Sequence, residues 1–494
     1  MTTDTAWERV RAWWATIADL GGTTSLLGWD RETGMPPGGA EARAAQLGTL
    51  AAIRHRELTR EDMSEAIAQL TAADLPADRA AAVARAARER RRAMLVPEEL
   101  VRASSEAGSR CVTAWIEARP RADFAAVAPS LERVVALRRQ EAAALLEAGG
   151  DEPYDALLEE FEPGGRARAL EPVFDRLAGR LTPLVERART EGPDLGGRRW
   201  PRAAQMALAT RLAAIVGFDM NRGRIAESAH PFTASPGVGD VRLTTRLDDD
   251  TPLPGALATM HELGHALYEQ GFAEELARGP LADAPSLGAH ESQSRFWENH
   301  IGRTDAFWEL IGPSLRELFP QAMAGLAPAS LAHAARAVRP SLIRVEADEV
   351  TYNLHIVLRF RLELALIRGD LSVTDLPGAW DEGMGSLLGI RPPDVRDGAM
   401  QDIHWHDGLI GYFPTYTIGN LYSAQLAEAM AEDLGPLHVA VADGRLDEIL
   451  AWMRDRVHRH GATMSTEDLM RAATGRDLDE EALISYLERT YAGG

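Results

Sequence analysis

The chain has 494 residues, 45 % of them hydrophobic and 26 % charged, the make-up of an ordinary globular protein with material for a large core. Its formal net charge of −21 argues against a phosphate backbone as partner, so no nucleic acid is expected; its basic residues are all arginine, which reads as composition bias. A single cysteine, Cys111, excludes an intrachain disulfide, and no apolar run of about 20 residues offers a membrane span.

From the amino terminus, Met1 to Trp7 show no basic stretch followed by an apolar one, so no secretion signal is expected and the compartment reads as cytoplasmic. Trp7, Val10, Trp13, Trp14 and Ile17 recur at three- and four-residue steps, giving one apolar helical stripe. Residues 35–39 contain Pro-Pro-Gly-Gly and read as a loop. Helices follow over 42–56, 79–95, 97–119 and 128–148, and Gly149-Gly150 ends the series. The run Arg88-Glu89-Arg90-Arg91-Arg92 reads as a solvated helix face, and Trp115, at helical spacing from Cys111 and Val112, as core. Residues 170–190 and 203–216 are helical in pattern around a loop at 192–201. A Gly/Pro/Ser-rich passage, 228–239, then precedes an alternating run from Val241 to Leu247, the one strand the pattern predicts. Its edge is expected to pair with an extended peptide.

Residues 254–271 read P-G-A-L-A-T-M-H-E-L-G-H-A-L-Y-E-Q-G, with Pro254 and Gly255 at a helix start and Gly271 at its stop. At about 3.6 residues per turn, His261 and His265 share a face and can reach one ion, while Glu262 projects beside them as a base. That spacing marks a zinc-peptidase helix. Such a site needs a third protein ligand. Glu291, 30 residues after His261 in a second helix-like run from His290 to Asn299, is the candidate, with Glu298 the alternative. Spacing alone leaves Glu291 as either a ligand or a solvated helix carboxylate.

Further helical pattern covers 331–338, 341–366, 421–432 and 447–460, and His333 and His355 on these stretches read as core or surface histidines. No repeat and no linker separates domains. The reading is a mainly α chain, one domain over 1–494 with a helical part (1–150) and a catalytic part (151–494). It forms a single large helical body with a long groove and a small β-sheet beside the zinc helix.

H-E-L-G-H followed by H-E-S-Q-S resembles the carboxypeptidase Taq family of metallocarboxypeptidases. In order along the chain, the same likeness covers Trp29-Asp30, M-P-P-G-G at 35–39, Y-D-A-L-L at 154–158, His230-Pro231-Phe232 and the D-x-R-x-T segment from Asp240. It continues through I-R-V-E-A-D at 343–348 and G-A-M-Q-D-I-H-W at 398–405. Glu227 stands where the family pattern has Asp.

The resemblance implies a carboxypeptidase of broad specificity with one zinc per chain on His261, His265 and Glu291, cobalt being a substitute. It also implies a homodimer and peptide substrates with a free terminal carboxylate. Substrate contacts fall to Arg344, whose planar guanidinium suits a carboxylate, then to Arg242, with His230 and Asp240 from the shared segments. Arg242 is alternatively the residue that limits reach at the closed end of the groove. Oxyanion donors are sought among Tyr412, Tyr416, His404 and His406; at i, i+2 the two histidines do not share a helix face, so a second metal site there is discounted. An endo- or oligopeptidase on the same site, or a silent peptide binder with a structural metal, are the competing readings. The intact Glu262 argues against the last.

Overall fold

Ala-, Leu- and Arg-rich stretches with few internal breakers favour helix. Among residues 1–492, which the computed structural model describes, there are twenty-one α-helices and one three-stranded sheet. Thr2, Asp123, Ser286, Thr304, Asp348 and Ser465 each cap a helix by accepting from a first-turn N–H. The first helix, Thr3–Thr33, buries the expected stripe of Val10, Trp13, Trp14 and Ile17. That stripe packs with Leu58, Met63, Ile67 and Val83 in a cluster separate from the main core. Helices Glu98–Ala118 and Phe124–Leu145 instead bury Cys111, Leu131 and Val135 in the main core. Trp115 is structural as expected, its indole N–H donating to the Met400 carbonyl at 2.8 Å.

The helix expected over 341–366 begins later, at Glu349, and runs to Arg368. Asp348 sets that start, since its carboxylate accepts from the Val350 and Thr351 amides (3.0 Å each). Arg344–Glu346 is left as a separate 3₁₀ turn.

The sheet comprises β1 (Gly223–Glu227), β2 (Thr233–Gly237) and β3 (Asp240–Thr245), in the order β1-β3-β2. β3 runs parallel to β1 and antiparallel to β2. The Gly/Pro/Ser-rich passage, where no strand is expected, thus supplies one, hidden by its composition and by an irregular register between Ala234 and Gly237. β3 is the central strand, so its edges are already paired and the expected peptide-pairing edge is not available there. Its end is tied to the helix Leu253–Gly271: the Thr245 hydroxyl donates to the Gly255 carbonyl (3.0 Å) and lies 2.9 Å from the Thr259 hydroxyl.

Candidate metal centre and active site

The helix Leu253–Gly271 presents His261 and His265 on one face, and the helix Leu287–Arg295 brings Glu291 to them. The two helices approach closely because residue 264 lacks a side chain: a Cβ there would lie 2.4 Å from the Gln293 carbonyl oxygen. Glu291 Oε2 stands 3.5 Å from His265 Nε2 and 3.8 Å from His261 Nε2. One ligand atom from each residue lies within 4.8 Å of the other two. Both outer ring nitrogens are held: His261 Nδ1 by Glu298 Oε2 (2.9 Å) and His265 Nδ1 by the His290 carbonyl (3.1 Å). With the proton fixed on Nδ1, each Nε2 offers its lone pair inward. Arg295 donates to Glu291 Oε1 (2.6 Å), which leaves Oε2 for the centre. The donor set, two imidazoles and a carboxylate, is that of a catalytic divalent metal.

The supports continue outward. Glu298 also accepts from Arg295 (3.3 Å) and Arg303 (2.8 Å), and it sits in a π-helical turn, Phe296–Ile301, that follows the Glu291 helix. His290 stacks on His265 at 4.3 Å and pairs with Glu269 at 2.9 Å. Burial opposes ionisation of Glu291, but Arg295 and His261 outweigh it and hold the carboxyl well below its usual range. Burial, reinforced by His290, drives His265 down to about 3, so it stays neutral and able to ligate.

Glu262 is buried on the same helix and points to β2, where the Thr233 hydroxyl donates to its Oε2 at 2.7 Å. Burial pushes its carboxyl up, with His261 and the Thr233 bond opposing. A carboxylate whose proton affinity is raised and whose Oε1 remains free suits a base.

The late segment converges on the same centre. The helix Pro414–Leu434 crosses Glu291 at residue 419, where a Cβ would lie 2.5 Å from Glu291 Cγ. Tyr412 and Tyr416 lie edge to face (5.4 Å), and the His404 ring is 5.5 Å from Tyr412. Burial, and after it the Glu291 charge, push the Tyr412 hydroxyl up, so it remains a donor at neutral pH. Burial and then Arg344 lower His404 to about 4. His406 is directed elsewhere: fully buried, it stacks near Trp115 (5.6 Å), with Nδ1 at the Asp402 carbonyl.

Arg344 is buried beneath Tyr416 (5.1 Å) and donates to Asp402 Oδ1 through Nε (3.2 Å) and Nη2 (2.9 Å). Asp402 is shared with Arg359, whose Nε reaches Oδ2 at 2.8 Å. Asp240 and Arg242 satisfy each other in a two-bond pair (2.7 and 2.8 Å) stacked over Trp29 (5.8 Å). His230 is exposed on the turn before β2, its carbonyl accepting from Ser228 Oγ. Glu227 pairs with Arg202. His333 is exposed and His355 fully buried, as expected of non-ligands.

Sequence reasoning missed the roles of Thr233, Arg295, Asp402 and Glu269. Asp402 lies in the G-A-M-Q-D-I-H-W segment, and Arg295 lies one turn after Glu291, so both carried a signal; Thr233 lies in the Gly/Pro/Ser-rich passage, where no strand was expected.

The model of the family described as Carboxypeptidase Taq (M32) metallopeptidase matches residues 9–491. Thermostable carboxypeptidase 1 of Thermus thermophilus is 43 % identical over 510 residues, spanning 100 % of this chain and 99 % of that protein. Carboxypeptidase 1 of Bacillus subtilis is 36 % identical and covers 96 % of each chain. The crystal structure of an M32 carboxypeptidase from Deinococcus radiodurans superposes with a TM-score of 0.96 at 37 % identity, over 99 % of both chains.

Proposed function

The chain belongs to the carboxypeptidase Taq (M32) metallopeptidase family and is a metallocarboxypeptidase, and on that premise we propose how its own residues divide the reaction. His261, His265 and Glu291 would hold one zinc ion, with cobalt a substitute. The convergence of their three ligand atoms within 4.8 Å, with both outer imidazole nitrogens tied, carries this reading. Bound there, such an ion polarises water and the scissile carbonyl.

Glu262 takes the proton of the attacking water at Oε1, the oxygen that Thr233 leaves free, and delivers it to the departing amine. Tyr412 and His404, both uncharged at neutral pH, donate to the oxyanion, with Tyr416 braced behind Tyr412. Arg344 receives the terminal carboxylate. Asp402 occupies one edge of its guanidinium and leaves N–H groups on both terminal nitrogens. Asp240 and Arg242, stacked over Trp29, close the far end of the groove near His230.

One domain over the whole chain, a homodimer and a cytoplasmic location belong to the same proposal. The single, buried, free Cys111 supports the last. Among the described residues no helix is long and apolar enough to cross a membrane.

The test is release of amino acids from matched peptides with free and amidated ends, before and after metal removal. Residue-by-residue release from the free peptide alone, abolished by chelation and restored by zinc, is expected. Internal cuts in both peptides would favour an endopeptidase.

A further inference from the structure

Y-D-A-L-L at 154–158 has no part in the chemistry above, yet its tyrosine ends on a buried acid. Glu363, on the helix Glu349–Arg368, is inaccessible to solvent and accepts three hydrogen bonds. The Tyr154 hydroxyl donates to Oε2 at 2.7 Å, the Gly411 amide to Oε2 at 3.1 Å, and the Trp405 indole N–H to Oε1 at 2.9 Å. Trp405 follows His404, and Gly411 precedes Tyr412. One carboxylate therefore pins the chain beside both groups read as oxyanion donors. The backbone of residue 411 also lies against that of Leu157 and Leu158, and Phe161 meets the Tyr412 ring edge to face at 5.2 Å.

We propose that Glu363 is a positioning residue for the reaction. Its two oxygens fix the 404–412 segment so that His404 and Tyr412 face the metal centre, and Tyr154 braces the carboxylate at Oε2. This rests on the reading of those two side chains as oxyanion donors. A buried group with three donors and both oxygens used has one geometry, and a rigid donor costs no reorganisation when the oxyanion forms. The charged group facing it is Arg359, one turn earlier, itself committed to Asp402; Tyr154 is the other titratable neighbour, while Trp405 and residue 411 carry no charge. Burial raises the Glu363 carboxyl to about 7 against these donors, so the pin loosens as it takes up a proton.

Glu363→Gln keeps the volume but turns an N–H₂ toward a donor. It is expected to lower kcat about 10- to 100-fold with KM and metal content unchanged, and Tyr154→Phe about 3- to 10-fold. The Trp405 indole N–H NMR signal, assigned by its loss in Trp405→Phe, should shift with pH near neutrality in the wild type and stay fixed in Glu363→Gln. Wild-type kcat in Glu363→Gln would overturn the proposal. So would a loss matched by equal loss of bound metal. If Glu363→Gln does not fold, Tyr154→Phe decides by kcat, KM and metal content. Tyr412→Phe and His404→Ala separate the two claims. If they retain kcat, the donor reading falls and the positioning role built on it falls with it; if they lose kcat while Glu363→Gln keeps it, the positioning role alone falls and the donors stand.

Discussion

Replacing Arg344 by alanine tests which part of the peptide the site holds. A guanidinium has five N–H groups. Two of these donate to Asp402 and one, on Nη1, reaches the Tyr352 hydroxyl at 3.3 Å. One N–H on each terminal nitrogen remains, the pair that a carboxylate takes up bidentately. Removing the side chain does not strand Asp402, because Arg359 still holds its other oxygen. The stability loss should therefore stay below the ~3–5 kcal/mol seen when a buried pair is broken and a charge is left alone. The substrate loss should be larger in consequence. A charge-assisted contact in a desolvated groove is worth roughly 2–5 kcal/mol, or about 30- to several-thousand-fold in kcat/KM. The assay compares wild type and Arg344→Ala on free and C-amidated peptides, with metal content and melting temperature measured alongside. Amidation should cost the wild type a factor similar to the mutation and cost the mutant almost nothing more, since both changes remove one interaction. Additive losses would refute the assignment and make Arg344 structural, with Arg242 next to be tested. No loss on amidation in the wild type would refute terminal-carboxylate recognition itself.

Glu291→Ala should release the metal to a mild chelator, because two imidazoles alone make a weak site; retention after dialysis would show another third ligand. Glu298→Gln should weaken metal binding about 10- to 100-fold by loosening His261, read by competition with a chromophoric chelator, and unchanged affinity would deny Glu298 that role. Glu162 is buried and accepts from the Gly288 amide at the start of the Glu291 helix. Burial raises its carboxyl to about 8 from an ordinary 4.5, against its bonds from Ser286 and Gly288. The folded chain thus holds this proton more tightly than the unfolded one, and stability falls as pH rises through that window. Glu162→Gln mimics the neutral form, so its melting temperature should decline less than the wild type's between pH of about 5 and about 9; parallel curves would contradict this.

The metal helix was legible because its constraints are local: a proline start, a glycine stop, and two histidines whose spacing fixes a shared face. Glu291 required more, since only packing at residue 264 brings the second helix within reach. The stripe from Val10 to Ile17 was readable for the same local reason, its period being that of the helix itself. Long-range pairings left no such mark. Thr233 reaches Glu262 from a strand whose composition reads as loop, and Glu363 gathers donors from positions 154, 405 and 411 that no periodicity connects. Arg344 was legible as a residue but not as a geometry. Asp348 captures the following helix start and leaves Arg344 on a separate turn, facing Asp402.

The most direct test of the account is Glu262→Gln, with bound metal and turnover measured in one preparation. Glu262 is proposed as the base; it lies beside the His261–His265–Glu291 group and not in it, its Oε2 held by Thr233. The variant should therefore bind metal as tightly as the wild type while kcat on a free-carboxylate peptide falls by about 10²- to 10⁴-fold. A full metal site with near-wild-type turnover, or a site emptied by the substitution, would contradict it.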